Sequence, residues 1–111
     1  MNYWESLDQL VSTHKLVIDR RKGSSHPQFP DSIYPLDYGY LEGTISGDGH
    51  GIDVWRGSLE SKTVQAVLNT VDTRTKIMET KLIVGCTDDE IDIIWKYHNS
   101  YSQSAILVRR H

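Results

Sequence analysis

The spacing of apolar and polar positions changes several times along the chain, and each change marks an element. Trp4, Leu7, Leu10 and Val11 recur at helical spacing, so the stretch from Trp4 to Val11 predicts a short amphipathic helix that caps a core. The run Lys15-Leu16-Val17-Ile18-Asp19 is apolar between charged ends and predicts a strand. From Lys22 to Asp31 two prolines and a glycine exclude regular structure and predict an exposed loop. Aromatic residues favour a strand from Tyr38 to Glu42, glycines favour a tight loop from Gly47 to Gly51, and Ile52 to Arg56 follows as the next strand. Thr63 to Val71 alternates imperfectly through Val64, Ala66 and Leu68, and with the β-rich stretch Lys76 to Val84 it predicts a hairpin around Asp72-Thr73-Arg74-Thr75. Thr87-Asp88-Asp89-Glu90 is a capping box that opens a helix, in which Ile91, Ile94, Trp95 and His98 share a face and Asn99-Ser100 is the stop. One further apolar run, Ala105 to Val108, precedes Arg109. Five strands with two helices predict a mainly β fold: a small closed or partly open barrel with an N-terminal and a C-terminal helix.

Composition narrows the function classes. The 111 residues suit one domain, 1–111, with no internal repeat or linker, and 38% apolar with 24% charged residues is globular rather than disordered. A formal charge of -3 leaves no broad basic field, and Arg20-Arg21-Lys22 is the one basic cluster, so neither nucleic acid nor an anionic membrane is an expected partner. Cys86 is the single cysteine and lies in an apolar run, which predicts a buried structural thiol. Met1 to Glu5 carries no basic leader or apolar core, and no apolar run approaches ~18 residues, so a cytoplasmic location is expected. Exposed strand edges leave homo-oligomerisation open.

The densest polar cluster on a glycine-rich segment is Asp48-Gly49-His50-Gly51-Ile52-Asp53. Glycines permit a sharp turn that could bring Asp48, His50 and Asp53 to one point, and Mg²⁺ takes one or two carboxylates together with waters and phosphate oxygens. Asp-Gly also marks ordinary hairpin turns, so by itself the segment reads equally as a turn. It lacks the acidic positions of an EF-hand loop. His14, His26, His50, His98 and His111 show no paired zinc-ligand spacing.

The wider segment is more specific. Tyr34-Pro35-Leu36-Asp37-Tyr38-Gly39-Tyr40, then Thr44-Ile45-Ser46, then Asp48-Gly49-His50-Gly51-Ile52-Asp53-Val54 resembles the family I soluble inorganic pyrophosphatases, which carry Tyr-Pro-x-Asn-Tyr-Gly-Tyr, Thr-x-Ser and Asp-x-Asp-Pro-x-Asp-Val in the same order. The resemblance extends more thinly to Ile18-Asp19-x-x-Lys22-Gly23-Ser24 and to Glu79-Thr80-Lys81-Leu82-Ile83-Val84. It implies a five-stranded barrel of the oligonucleotide-binding (OB-like) type. It also implies metal-dependent hydrolysis of pyrophosphate or a related small phosphoanhydride, with Mg²⁺, or else Mn²⁺ or another divalent metal, as cofactor. The alternative on the same fold is a non-catalytic module that binds phosphate or metal.

Position by position, the resemblance implies Asp48, Asp53 and Glu79 as metal ligands. Lys22, His26, Tyr38, Lys81, Tyr97 and His98 would contact the phosphate-bearing substrate, and His50, Asp53 and Tyr38 would serve the reaction. Asp19 falls on an early acidic position, and Asp72 could supply a further carboxylate. Three departures stand out: His50 replaces the family's central aspartate, Gly51 replaces the following proline, and the hairpin that brings an arginine is missing, which leaves Arg20, Arg21 or Arg74 as substitutes. A neutral imidazole can act as a base near neutral pH but cannot bridge two cations as a carboxylate does. Tyr38 and Tyr40 read equally well as core packing, Lys81 as a solvent-facing strand residue, and Trp4, Trp55 and Trp95 as packing residues.

Overall fold

A computed structural model describes residues 1–111. Helix α1 (Tyr3–Thr13) is followed by strands β1 (Leu16–Arg20), β2 (Asp37–Leu41), β3 (Ile52–Arg56), β4 (Val64–Asp72) and β5 (Ile77–Val84), then helix α2 (Asp88–Tyr97) and strand β6 (Gln103–Arg109). The architecture is mainly β with two helices, as expected, and it has six strands rather than five. The additional strand is the run at Ala105 to Val108, which returns from α2 to pair antiparallel with β4. The sheet runs β1-β2-β3-β5-β4-β6 and is open, with β1 and β6 as edges; it is consistent with an OB-like fold but is not a closed barrel. All pairs are antiparallel except β3 with β5.

Side chains that alternate across this sheet build two cores. On one face Trp55, Ala66, Leu68 and Ile83 pack with Tyr34, Leu36 and with Ile91 and Ile94 of α2. On the other, Val54, Val64, Val67 and Leu82 pack beneath Val11, Leu7 and Trp4 of α1. The imperfect alternation in β4 has a local cause. The register shifts between Val64 and Ala66, so Val64 and Val67 share a face although three residues apart. The extra residue, Gln65, turns its amide onto the backbone of Cys86 and both donates to its carbonyl and accepts from its N–H at 2.6 Å.

Both helices are capped at their N-termini. Thr87 and Glu90 exchange the reciprocal bonds expected of a capping box, and Glu90 also accepts from Ser58. Asn2 and Glu5 do the same for α1. Gly39 lets β1 cross close over β2, because a Cβ there would lie 1.9 Å from the Val17 carbonyl oxygen. Neither helix is long and apolar enough to cross a membrane.

Candidate functional site

Strand pairing brings chemistry to one end of the α2 face. Tyr38 lies opposite Trp55, Tyr40 opposite Asp53, and Asp53 beside Lys81 in the parallel β3–β5 register. Residues on one side of a strand recur every second position, so Glu79 falls on the same face as Lys81. Lys81 is only 6% exposed, and its ammonium donates to the Tyr38 hydroxyl at 2.6 Å, to Glu79 Oε2 at 2.8 Å and to Asp53 Oδ2 at 3.1 Å. A protonated lysine has three N–H groups, and all three are used.

The electrostatics follow from this packing. Burial works against the Lys81 charge, yet the Tyr38 oxygen and the Asp53 and Glu79 carboxylates outweigh it and hold the ammonium well above its ordinary range. Burial pushes the Tyr38 phenol far up. Asp53, the more buried carboxylate, is raised by burial, with Lys81 opposing. Glu79 is lowered, because the Lys81 ammonium and a bond with the Asp53 carboxyl outweigh its smaller burial. Two neighbouring carboxylates that share one ammonium are thus pushed in opposite directions, and Asp53 is the one that more readily holds a proton.

The Gly47–Gly51 loop does not aim its side chains into this cluster. Asp48 is exposed; its Oδ1 accepts from Ser46 Oγ at 2.5 Å and from the His50 backbone N–H at 2.9 Å, bonds that hold its carboxyl below the usual range. Gly49 sits at φ +86, as the tight turn requires. The His50 imidazole is exposed. The expected convergence of Asp48, His50 and Asp53 therefore gives way to a turn that satisfies Asp48 locally, with Asp53 alone directed inward. Asp48 instead lines a cleft of about 520 Å³ walled by Leu7, Ile52 and Leu82 on the α1 side of the sheet; of the cluster only Glu79 borders it, and the Asp48 charge reaches that carboxylate.

His98 also differs from expectation. It is 4% exposed and accepts from the Trp55 indole N–H at 3.0 Å through Nε2. An indole nitrogen can only donate, so the ring proton lies on Nδ1, which meets Gln103 Oε1 at 2.8 Å. With both ring nitrogens engaged in the core, His98 is a packing residue and not an open substrate contact; burial pushes it down to about 4. Tyr97 points the other way, its hydroxyl 3.0 Å from Ser32 Oγ. His26 lies on the loop before β2, its Nδ1 accepting from the Gln28 N–H and its ring parallel to Tyr34. The Lys22 side chain is exposed, while its backbone N–H donates to Asp37. Asp72 caps the β4–β5 turn by accepting from Arg74, Thr75 and Ser102, so it is not a further cluster carboxylate. Asp19 is exposed beside Arg20.

Solved structures with this architecture are enzymes of phosphate chemistry. An inorganic pyrophosphatase from Helicobacter pylori superposes with a TM-score of 0.59 at 18% identity, over 85% of this chain and 81% of that one. An inorganic phosphatase from Anaplasma phagocytophilum gives 0.58 at 17%, over 85% and 81%. An inorganic pyrophosphatase from Neisseria gonorrhoeae gives 0.54 at 17%, over 86% and 75%. The chain has a pyrophosphatase-like fold. At this identity the likeness is one of fold; no protein-family model and no curated protein matches the sequence.

Within that pyrophosphatase-like fold, Tyr34, to which the sequence gave no role, and Arg20, one of the three substitutes for the missing arginine, lie beside the cluster. Tyr34 is the hub of an aromatic layer, with ring centroids 5.6 Å from Tyr38 and 6.0 Å from Trp55 and Tyr97. Burial raises the Tyr34 phenol, with the Arg20 and Lys81 charges only partly opposing, and burial followed by the Arg20 charge lowers His26. Arg74 reaches the same loop, 5.3 Å above the Phe29 ring. The repeated tyrosine of Tyr34-Pro35-Leu36-Asp37-Tyr38 was the signal for Tyr34; Arg20 was named with Arg21 and Arg74 as a substitute arginine, and its place beyond a register shift in β1 sets it apart from them.

A divalent metal needs several oxygen or nitrogen donors at one point. No three His, Cys, Asp or Glu side chains gather closely enough to hold one, and the point where Asp53 and Glu79 converge is filled by the Lys81 nitrogen. A resident multi-metal centre does not fit these residues. An ion that arrives on phosphate oxygens needs only one or two protein carboxylates, and Asp53 and Glu79 are the pair on this face.

Proposed function

We propose that the protein binds inorganic pyrophosphate or a related small phosphoanhydride at the face where Tyr38, Asp53, Glu79 and Lys81 meet, and hydrolyses it. The observation that carries this reading is the buried Lys81 ammonium held between Tyr38 and two carboxylates, on a fold similar to inorganic pyrophosphatases. The two carboxylates, Asp53 and Glu79, outnumber the one ammonium and repel a bare phosphate anion, so the ligand would arrive with its cation. Mg²⁺ on the phosphate oxygens would neutralise their charge, and Asp53 and Glu79 are the carboxylates that would hold it. The Tyr38 hydroxyl, whose oxygen accepts from Lys81 and whose proton is left to donate, would orient a phosphate oxygen, with the buried Lys81 charge behind it. Arg20 and His26 would meet the distal phosphate from the neighbouring loop. Asp53, raised by burial, is the group suited to hold and move a proton at a reacting oxygen.

Phosphate release from pyrophosphate with Mg²⁺, Mn²⁺, Co²⁺ or Zn²⁺ tests the proposal. Turnover by the wild type that Asp53→Asn abolishes is the expected result, and turnover indifferent to that substitution would remove Asp53 from the site.

A second reading, a phosphate- or metal-binding module without turnover, is favoured by the exposed His50 and by the lack of a second carboxylate at that position. Calorimetry that detects metal–pyrophosphate binding, with no phosphate released under any of the four metals, would select it.

A further inference from the structure

The convergence of Asp53 and Glu79 on a nitrogen, rather than on open space, has a chemical meaning of its own. Their oxygens lie 3.1 and 2.8 Å from Nζ, both bonds are ion pairs, and the third acceptor is the Tyr38 hydroxyl at 2.6 Å. The ammonium reaches this point from backbone that cannot easily shift. Lys81 lies in mid-strand between two pairing partners, beside Asp53 on one side and opposite Leu68 on the other. Glu79 is two residues away on the same strand, and Tyr38 comes from β2. The stem is buried and the nitrogen sits 5.0 Å from the Tyr38 ring centroid, so a cation is favoured from that side as well.

Ammonium and metal ask for different spacings. Carboxylate oxygens around an ammonium stand near 3 Å, whereas Mg²⁺ demands about 2.0–2.1 Å and Mn²⁺ belongs to the same oxygen-seeking class. The two charges also compete for the same lone pairs. A dication brought to the Asp53–Glu79 pair would have to displace the ammonium from its three acceptors or share the pair with a like charge.

We infer that the Lys81 ammonium is the resident cation of the Asp53–Glu79 pair, standing where a divalent metal would otherwise sit, and that removing its charge uncovers a metal site at those two carboxylates. The free protein then takes up no divalent ion at this pair, and an ion reaches the face only when phosphate oxygens bring it. The inference concerns the protein without substrate, so it stands whether or not the proposed hydrolysis is found.

The test is a Mn²⁺ titration without phosphate, read by water-proton relaxation, on wild type, Lys81→Met and the double variant Lys81→Met/Glu79→Gln, each first checked for folding by circular dichroism. Lys81→Met is expected to bind one Mn²⁺ at least about tenfold more tightly than wild type, and the added Glu79→Gln is expected to abolish the gain. Equal affinity in wild type and Lys81→Met, or a gain that survives Glu79→Gln, would overturn the inference. Should the variants fail to fold, the wild type still decides. Its Lys81 ammonium should give a solvent-protected proton–nitrogen resonance that excess Mg²⁺ leaves unmoved, and loss of that resonance on adding Mg²⁺ would equally overturn it.

Discussion

His98 should make the protein acid-labile well above the range where carboxylates titrate. Its Nε2 must stay unprotonated to accept the Trp55 indole proton, and burial, reinforced by the Lys81 charge and only partly offset by Gln103 and Glu79, holds it down to about 4. In the unfolded chain the same ring titrates near 6.5. Between those values the unfolded state binds the proton and the folded state does not, so stability is full above pH ~6.5 and declines as pH falls toward 4. At roughly 1.4 kcal/mol per pH unit, the whole interval is worth about 3 kcal/mol, and about 2 kcal/mol of it is gone by pH 5. That is a large share of the stability of a domain of this size.

The lowered carboxylates, Asp48, Asp72, Glu79 and Glu90, also favour loss of stability in acid, but their windows lie at lower pH. The assay is urea unfolding of wild type and His98→Gln at pH 7.5 and pH 5.0. Glutamine keeps an acceptor for Trp55 and does not titrate. Wild type should lose about 2 kcal/mol between the two pH values and His98→Gln clearly less. Equal losses in the two proteins would refute the assignment of His98 as a neutral core residue.

Two other predictions follow from packing. Gly39→Ala would drive a methyl group into the Val17 carbonyl and separate β1 from β2; a destabilisation of at least about 3 kcal/mol is expected by urea unfolding, and a change under about 1 kcal/mol would contradict the close crossing. Cys86 is 1% exposed and burial pushes its thiol up to about 12, so a thiol reagent should leave the native protein untouched at pH 8 and label it promptly in denaturant; rapid native labelling would contradict the buried placement.

What the sequence revealed and what it hid divide along the range of the forces involved. The Thr87–Glu90 capping box is chemistry within four residues, so it was readable directly. The β4–β5 hairpin was equally local. The irregular spacing in β4 was visible, but its cause, a bulge that turns Gln65 onto Cys86, joins positions 21 residues apart. The pairing order of the strands is non-local too: nothing in the alternation of β3 or β5 specifies that they lie parallel, and the run after α2 became a sixth strand only because β4 had a free edge.

The site divides in the same way. The glycine-rich acidic segment pointed to Asp53 and the resemblance added Tyr38, Glu79 and Lys81, so the pieces of the Lys81 cluster were readable even though their saturation was not. Asp48 was misjudged because an Asp-Gly turn satisfies its own carboxylate, and local side-chain bonds of this kind compete with any distant convergence. The face shared by Ile91, Ile94, Trp95 and His98 already marked that histidine as a core residue; the family resemblance drew it toward the substrate instead.

Crystals soaked with Mn²⁺ and pyrophosphate together, and in parallel with Mn²⁺ alone, test the central claim most directly. With both present, the account predicts one anomalous Mn²⁺ peak at the edge of Asp53 and Glu79 with diphosphate density over Tyr38 and Lys81, and no peak at that pair with Mn²⁺ alone. Diphosphate bound away from Lys81, or no density on this face under either condition, would contradict it.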